Sequence, residues 1–381
     1  MGDNCNYIIS FNFIMWLTGW DKRIKVTADH TVVDGDLSHF PLTFKLGTSV
    51  GKTSADVSCV FDELTSNDNR KKIAITKTDG ETQLYVEIEQ WDDANEKAVL
   101  HAGITGDTLS SSADTDYYLY YDNSHADNTT YVGDVGGRTE VWDSNFKAVY
   151  HLADDDTDQT VLDSTTDYNA TKLANAEPAN TSSGKIDSAQ HFDGSNDYIG
   201  YAGSLIGTLS TDFTVECWVK LDTVAAREYI LGFGNDSETN SLVGIDYNDA
   251  GYLEWVIRDS SNVNAIFTGT GSITDSTWYH LVLVWNAATN TTYGYLNGAS
   301  DGSQNNDSVG TGTFTLNSIG ILRRTSIQFP TDGIIDEVRI SSSLRNAAYA
   351  KASYYSGSDN LVSWGSEETA PVTFVPQMIF I

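Results

Sequence analysis

Basic residues are scarce in this chain: 22 Lys and Arg stand against 53 Asp and Glu in 381 residues, a formal net charge of −31. A surface this acidic repels nucleic acid and anionic membrane, so neither is expected as a partner. Cysteine occurs only at Cys5, Cys59 and Cys217, an odd and widely spaced set that builds neither a disulfide framework nor a cysteine zinc site. The five prolines are too few for a Pro-rich linker. No apolar run reaches the roughly 20 residues that cross a bilayer. The nearest, Ile8–Leu17, lacks the basic flank and small-residue cleavage site of an export signal. No unit of about 20–50 residues repeats, which excludes a solenoid or propeller. Glutamate is also scarce, since 39 of the 53 acidic residues are Asp. Asp favours turns and offers hard oxygens to calcium, whereas Glu favours helices.

What is present is a β protein. The 20 Tyr, 9 Trp and 31 Gly suit packed strands joined by tight turns. Up to about Asn123 the chain reads as short alternating strands such as Arg23–Thr27, Leu42–Leu46 and Gln83–Glu89. A polar, glycine-bearing stretch, Asp122 to Arg138, follows. A second block runs from Glu140 to about Arg345, with strands at Phe213–Leu221, Tyr252–Arg258, Trp278–Asn286, Thr291–Leu296, Thr313–Leu322 and Ile334–Ile340. Alternation places Cys217 with the inward set. The only helical segment expected is the Ala-rich Leu344–Tyr354, so the pattern is that of a sandwich.

Five segments of the second block, in order, carry a resemblance: Phe192–Ile199, Asp212–Val219, Trp278–Val282, Tyr295–Gly298 and Gly333–Ile340. They resemble the LamG-type domains of the concanavalin-like lectin/glucanase superfamily. The first block, through Gly19–Val26, Asp34–Pro41 and Tyr118–Asn123, resembles a domain of unknown function often found directly before them. Such pairs occur in secreted prokaryotic surface proteins and in proteins of tailed viruses. The fold class expected is all-β: an N-terminal antiparallel β-sandwich followed by a concanavalin-like jelly-roll sandwich. The expected boundaries are an arm at 1–18, domains at 19–138 and 139–368, and an apolar tail at 369–381. Trp218 and Trp278 are expected to pack the second sandwich.

The resemblance implies recognition, most simply of a surface glycan, without a reaction; the alternatives are a structural or decoration protein of a virion that binds protein neighbours and, less favoured, a polysaccharide hydrolase. Glycosidases on this fold carry carboxylates about 5 Å apart on one strand face. In Asp336-Glu337 the charges are adjacent and, in a regular strand, point to opposite faces. Glu87 and Glu89 share a face, read here as the solvent side of a half-buried strand. The seven His do not cluster at metal-ligand spacing. The resemblance makes structural calcium an expectation at Asp193, Asp197 and Asp336. A sugar needs an aromatic platform with polar groups around it, and exposed loop residues are the candidates: Tyr201, Tyr247, Tyr252 and Phe329 beside Asn235, Asp236, Asn240 and Arg258. Apolar ends, Tyr7–Leu17 and Val372–Ile381, are each about one strand long and suited to adding to a neighbour's sheet edge. They imply an oligomeric assembly with neighbouring proteins on a virion surface, or alternatively an extracellular surface.

Overall fold

A computed structural model describes residues 15–173, 177–237 and 240–371. Two β-sandwiches stand side by side. In the first, one sheet orders its strands Val362–Thr369, Lys22–Ala28, Thr115–Tyr121, Ile73–Lys77, and the other Leu42–Leu46, Lys97–Gly103, Tyr85–Asp92, Val132–Asp134. All pairs are antiparallel except Tyr85–Asp92 with Val132–Asp134. A short helix, Cys59–Leu64, buries Val60, Phe61 and Leu64.

The second sandwich has two large sheets. The inner sheet, towards the first domain, runs Ala179–Thr181, Ala189–Asp193, Asp332–Ser341, Phe213–Leu221, Trp278–Asn286, Thr291–Leu296, Ala299–Asn305, and Phe146–Tyr150 also pairs with Asp332–Ser341. The outer sheet runs Thr160–Val161, Ala170–Lys172, Ile199–Ala202, Leu316–Ile319, Glu228–Gly234, Leu242–Tyr247, Tyr252–Arg258, Phe267–Ser272. Strict alternation in Phe213–Leu221 sends Phe213, Val215, Cys217, Val219 and Leu221 into the core between the sheets. The opposite face of this strand is buried too, because the helix Ala347–Gly357 and the first domain cover it. Glu216 and Trp218 are therefore only 2% and 3% exposed.

Of the two expected packing tryptophans, one is buried and one is not. Trp218 is buried, but outside the inter-sheet core, with Tyr354 stacked on it at 5.6 Å. Trp278 is half-exposed, with the Lys220 ammonium over its ring. The expected boundary at 368 also fails. Ala348, Tyr349, Ala352, Leu361, Val362 and Trp364 belong to the first domain's core, with Ile24, Phe44 and Leu119. The strand Val362–Thr369 pairs with Lys22–Ala28 along its length. The second sandwich is thus inserted between the body of the first and its final strand. Alternation identifies Val362-Ser363-Trp364 as a strand, but it carries no information about which open edge the strand will join.

Of the expected arm, Met15 to Thr18 are described. The Trp16 ring meets Tyr120 edge-on at 5.6 Å, and the Arg23 guanidinium lies over it at 4.1 Å, so this part folds back on its own domain. Residues 1–14 and 372–381, which hold most of both apolar ends, lie outside the described residues.

Candidate functional site

The strongest concentration of chemistry lies between the two domains. Glu87 and Glu89 come from the Tyr85–Asp92 strand, His101 from its neighbour Lys97–Gly103, His151 from just past Phe146–Tyr150, and Glu337 and Arg339 from Asp332–Ser341. The expectation that Glu87 and Glu89 face solvent is wrong: both side chains are 0% exposed. Their face is polar because it meets the polar face of another domain. From sequence alone the two situations look the same.

The expectation for Asp336 and Glu337 also gives way to a backbone detail. Against Phe213–Leu221, Glu216 pairs with Arg339 but Trp218 with Asp336, so the Asp332–Ser341 strand carries one extra residue. Glu337 sits there at φ 51°, in the left-handed region. The bulge breaks alternation. Ile335, Val338 and Ile340 remain in the core, while Asp336, Glu337 and Arg339 all reach the outer side. Such bulges favour glycine in the left-handed position, so a Glu there gave no sequence signal.

Geometry fixes the electrostatics of this cluster. His101 Nε2 lies 2.6 Å from Glu89 Oε2, and His151 Nδ1 lies 2.5 Å from Glu337 Oε1 and 3.5 Å from Glu89 Oε2. The two imidazoles stack at 4.6 Å. Arg339 donates through Nε and Nη2 to Glu337 Oε2 at 3.1 and 2.6 Å. Behind it Glu216 accepts from Tyr349 and Ser353, both at 3.0 Å. Burial alone would raise the Glu337 carboxyl, but His151 and Arg339 outweigh it and hold it low. Burial would lower His151, and the carboxylates of Glu337 and Glu89 reverse that, raising it well above its usual range. Burial raises Glu89, against the pull of His151. A pocket of about 330 Å³ opens beside Glu89 and His151, with Asp154, Asp155 and Asp158 along its wall.

The expected sugar-site residues are not gathered into one place. Tyr201, half-buried against Tyr168, lies four strands from Arg258 in the outer sheet, about 19 Å at a strand spacing of ~4.8 Å. Arg258 donates to Asn264 at 2.8 Å. Asn235, Asp236 and Asn240 are near the Leu242 end of that sheet. Tyr247, at the other end of its strand, is not an exposed loop residue: it is fully buried in the core, where its hydroxyl donates to Thr223 O at 3.3 Å. Of the three calcium candidates, Asp193 and Asp197 lie together and Asp336 apart. Asp193 is exposed and its N–H donates to Asp197 Oδ2 at 3.0 Å. Asp336 is fully buried, accepting from the N–H groups of Lys185 and Ile186 at 2.7 and 3.0 Å. Asp193 pairs with Asp332, four residues or roughly 13 Å along the strand from Asp336.

The outer face of the outer sheet holds a different group. Gly232 and Gly244 keep it shallow, because a Cβ on Gly232 would meet Ile321 O at 2.8 Å and one on Gly244 the Tyr229 ring at 2.7 Å. The hairpin formed by Leu322–Arg323 and Ile327–Gln328 lies across it. At its edge the Phe329 ring, 41% exposed, meets Tyr229 at 5.9 Å, and the Arg227 guanidinium lies 5.5 and 5.7 Å from the two rings. Arg227 Nη2 donates to both Asp246 Oδ2 at 2.7 Å and Glu254 Oε2 at 2.6 Å. Burial pushes Asp246 up to about 7 despite Arg227. Tyr252, also exposed, is two residues from Glu254 and on the same strand face.

Residues 193–349 match the family model of the Concanavalin A-like lectin/glucanases superfamily. With the two facing sheets, this shows a concanavalin-like jelly roll in that part of the chain. Among solved structures, domain 4 of an extracellular arabinanase from Geobacillus stearothermophilus, in complex with arabinotriose, is 21% identical at a TM-score of 0.43, covering 54% of this chain and 97% of that one. The binding domain of Paraclostridial Mosquitocidal Protein 1 is 14% identical at 0.45, over 56% of this chain and 52% of that one. The CBM40 of the Ruminococcus gnavus IT-sialidase is 12% identical at 0.35, over 38% and 84%. No curated protein matches the chain. No helix among the described residues is long and apolar enough to cross a membrane.

Proposed function

We propose that this is a non-enzymatic surface recognition protein that binds carbohydrate on the outer face of its second sandwich. The observation that carries the reading is the Phe329 platform. An exposed ring edged by Arg227 and Glu254, with Tyr252 on the same face, offers an apolar surface for a pyranose and planar polar groups for its hydroxyls. The superfamily match over residues 193–349 supports it, although a fold hosts many functions and the site must carry the argument. The same place disfavours hydrolysis. Asp246 and Glu254 are close, but one guanidinium bridges them and the Asp246 side chain is closed to solvent. A retaining glycosidase needs both carboxyl groups free to reach the sugar.

Phe329→Ala should weaken binding of a glycan identified on an array by at least about tenfold, roughly 1.4 kcal/mol, measured by titration calorimetry. Its melting temperature should hardly move, because the ring is exposed. Equal affinity in the variant would remove the platform. Release of reducing ends from polysaccharide would overturn the non-enzymatic reading.

The setting we favour is a virus particle, with the protein held to neighbouring proteins through its apolar ends. The support is the sequence of Val372–Ile381, apolar and about one strand long, which suits addition to a neighbour's sheet edge. A chain lacking Val372–Ile381 should fold normally and fail to incorporate into its assembly. Normal incorporation would count against this setting.

A further inference from the structure

We propose that Glu89, His101, His151 and Glu337 form a binding site for one zinc-class divalent cation that fastens the two domains together. One ligand atom from each residue lies within 4.8 Å of all the others. A tetrahedral ion with bonds of about 2.0–2.1 Å needs ligand atoms roughly 3.3 Å apart. The present separations, 2.6 Å for His101–Glu89, 3.5 Å for His151–Glu89 and 2.5 Å for His151–Glu337, straddle that value, so side-chain shifts of under about 1 Å would complete the shell.

The surroundings are those of a prepared site, because three of the four ligands have a polar group behind them, the arrangement that orients metal ligands. His101 Nδ1 lies 3.2 Å from Thr43 Oγ1, which leaves Nε2 facing inward. The far nitrogen of His151 faces Glu87 Oε2 at 3.6 Å, and Glu87 accepts from Trp142 Nε1 and Gly136 N at 2.7 and 2.8 Å. Arg339 holds the outer oxygen of Glu337. An independent observation concerns Glu89. Its side chain is 0% exposed, yet Oε1 has no hydrogen-bond partner among the described residues. An unsatisfied buried carboxylate oxygen is costly, and a cation towards which Glu89 turns this oxygen would relieve it.

Charge and access agree. Two ligand carboxylates balance a divalent ion, while Arg339 outside the shell is faced by Glu216 as well as by Glu337. Two imidazoles with two carboxylates suit zinc better than the oxygen-only preference of calcium. The pocket beside Glu89 and His151, edged by Asp154, Asp155 and Asp158, gives a cation an acidic way in. With all four positions filled by protein the site is closed, as in structural rather than catalytic zinc centres. Glu89 and His101 belong to the first domain, His151 and Glu337 to the inserted one, so the ion would join them. The inference is independent of the glycan reading.

The test uses the full chain, stripped with chelator and dialysed against micromolar Zn²⁺. We expect one zinc per chain, a higher melting temperature with Zn²⁺ but not with Ca²⁺ or Mg²⁺, and a tetrahedral visible spectrum with Co²⁺. His101→Gln and Glu89→Gln should each abolish stoichiometric zinc. Asp114→Asn, in the exposed Asp29–His30–Asp114 group, should leave it unchanged. If either ligand variant fails to fold, the Co²⁺ spectrum of the unaltered chain decides. No zinc retained, an octahedral Co²⁺ spectrum, or undiminished zinc in folded His101→Gln would overturn the proposal.

Discussion

Replacing Glu337 by Gln should destabilise the metal-free chain by about 3–5 kcal/mol, the cost of breaking a buried ion pair from one side. Glu337 is 2% exposed and stands between two buried cations, the imidazole of His151 and the guanidinium of Arg339. The amide would keep the shape and lose the charge, leaving Arg339 only Glu216, 3.8 Å from its Nη1. The origin of the loss can be separated by a second substitution. If an uncompensated charge causes it, Glu337→Leu combined with Arg339→Met should recover a good part, because replacing both partners by apolar groups is often neutral. Urea unfolding in the presence of EDTA measures both variants without any contribution from metal. A loss under about 1 kcal/mol for Glu337→Gln would mean that water reaches the cluster and screens it, as at a surface pair.

The same cluster marks the limit of what the sequence discloses. The strands of the second sandwich were legible because one face of each is apolar at period two, and Cys217 was placed correctly in the core by that alternation alone. Glu87 and Glu89 were assigned to the right strand and the right face. Whether water or a second domain lies beyond that face depends on the contacts of Glu87 and Glu89 with His151, far along the chain, which no local pattern encodes. The bulge at Glu337 was illegible for a different reason: the residue that takes the left-handed conformation has a Cβ, so the usual glycine mark is missing. Among the sugar-site candidates, chemical type was readable but position across the sheet was not. Tyr247 obeys the alternation that buries it, and Phe329 is exposed only because the hairpin ahead of it lies across the sheet.

Deleting residues 362–371 should unfold the first sandwich, although the missing segment lies far from residues 19–138 in sequence. The Val362–Thr369 strand pairs with Lys22–Ala28 from Val362 opposite Ala28 to Thr369 opposite Lys22. Without it a central strand becomes an open edge, and its backbone groups lose one ladder of partners. Packing is lost as well. Val362 and Trp364 are 1% and 7% exposed, and the Trp364 ring meets Phe44 edge-on at 6.1 Å. Removing a buried aromatic alone costs about 3–5 kcal/mol and each large aliphatic about 2–5, together comparable to the whole stability of a domain, roughly 5–15 kcal/mol. Polar anchors go too, since Arg23 Nε donates to Glu368 at 2.7 Å and Tyr121 donates to Glu367 at 2.5 Å. The second sandwich takes no strand from this segment. The truncated chain should therefore show fast amide exchange throughout Lys22–Ala28 and Thr115–Tyr121, while the core strand Phe213–Leu221 remains protected. For the same reason, residues 19–138 expressed alone should not fold, and adding a peptide spanning 361–371 should restore protection to them only if residues 347–357, whose Ala348, Tyr349 and Ala352 share that core, are present as well. Slow exchange in Lys22–Ala28 of the truncated chain would show that the first sandwich closes without its last strand, and that the two domains are sequential and independent.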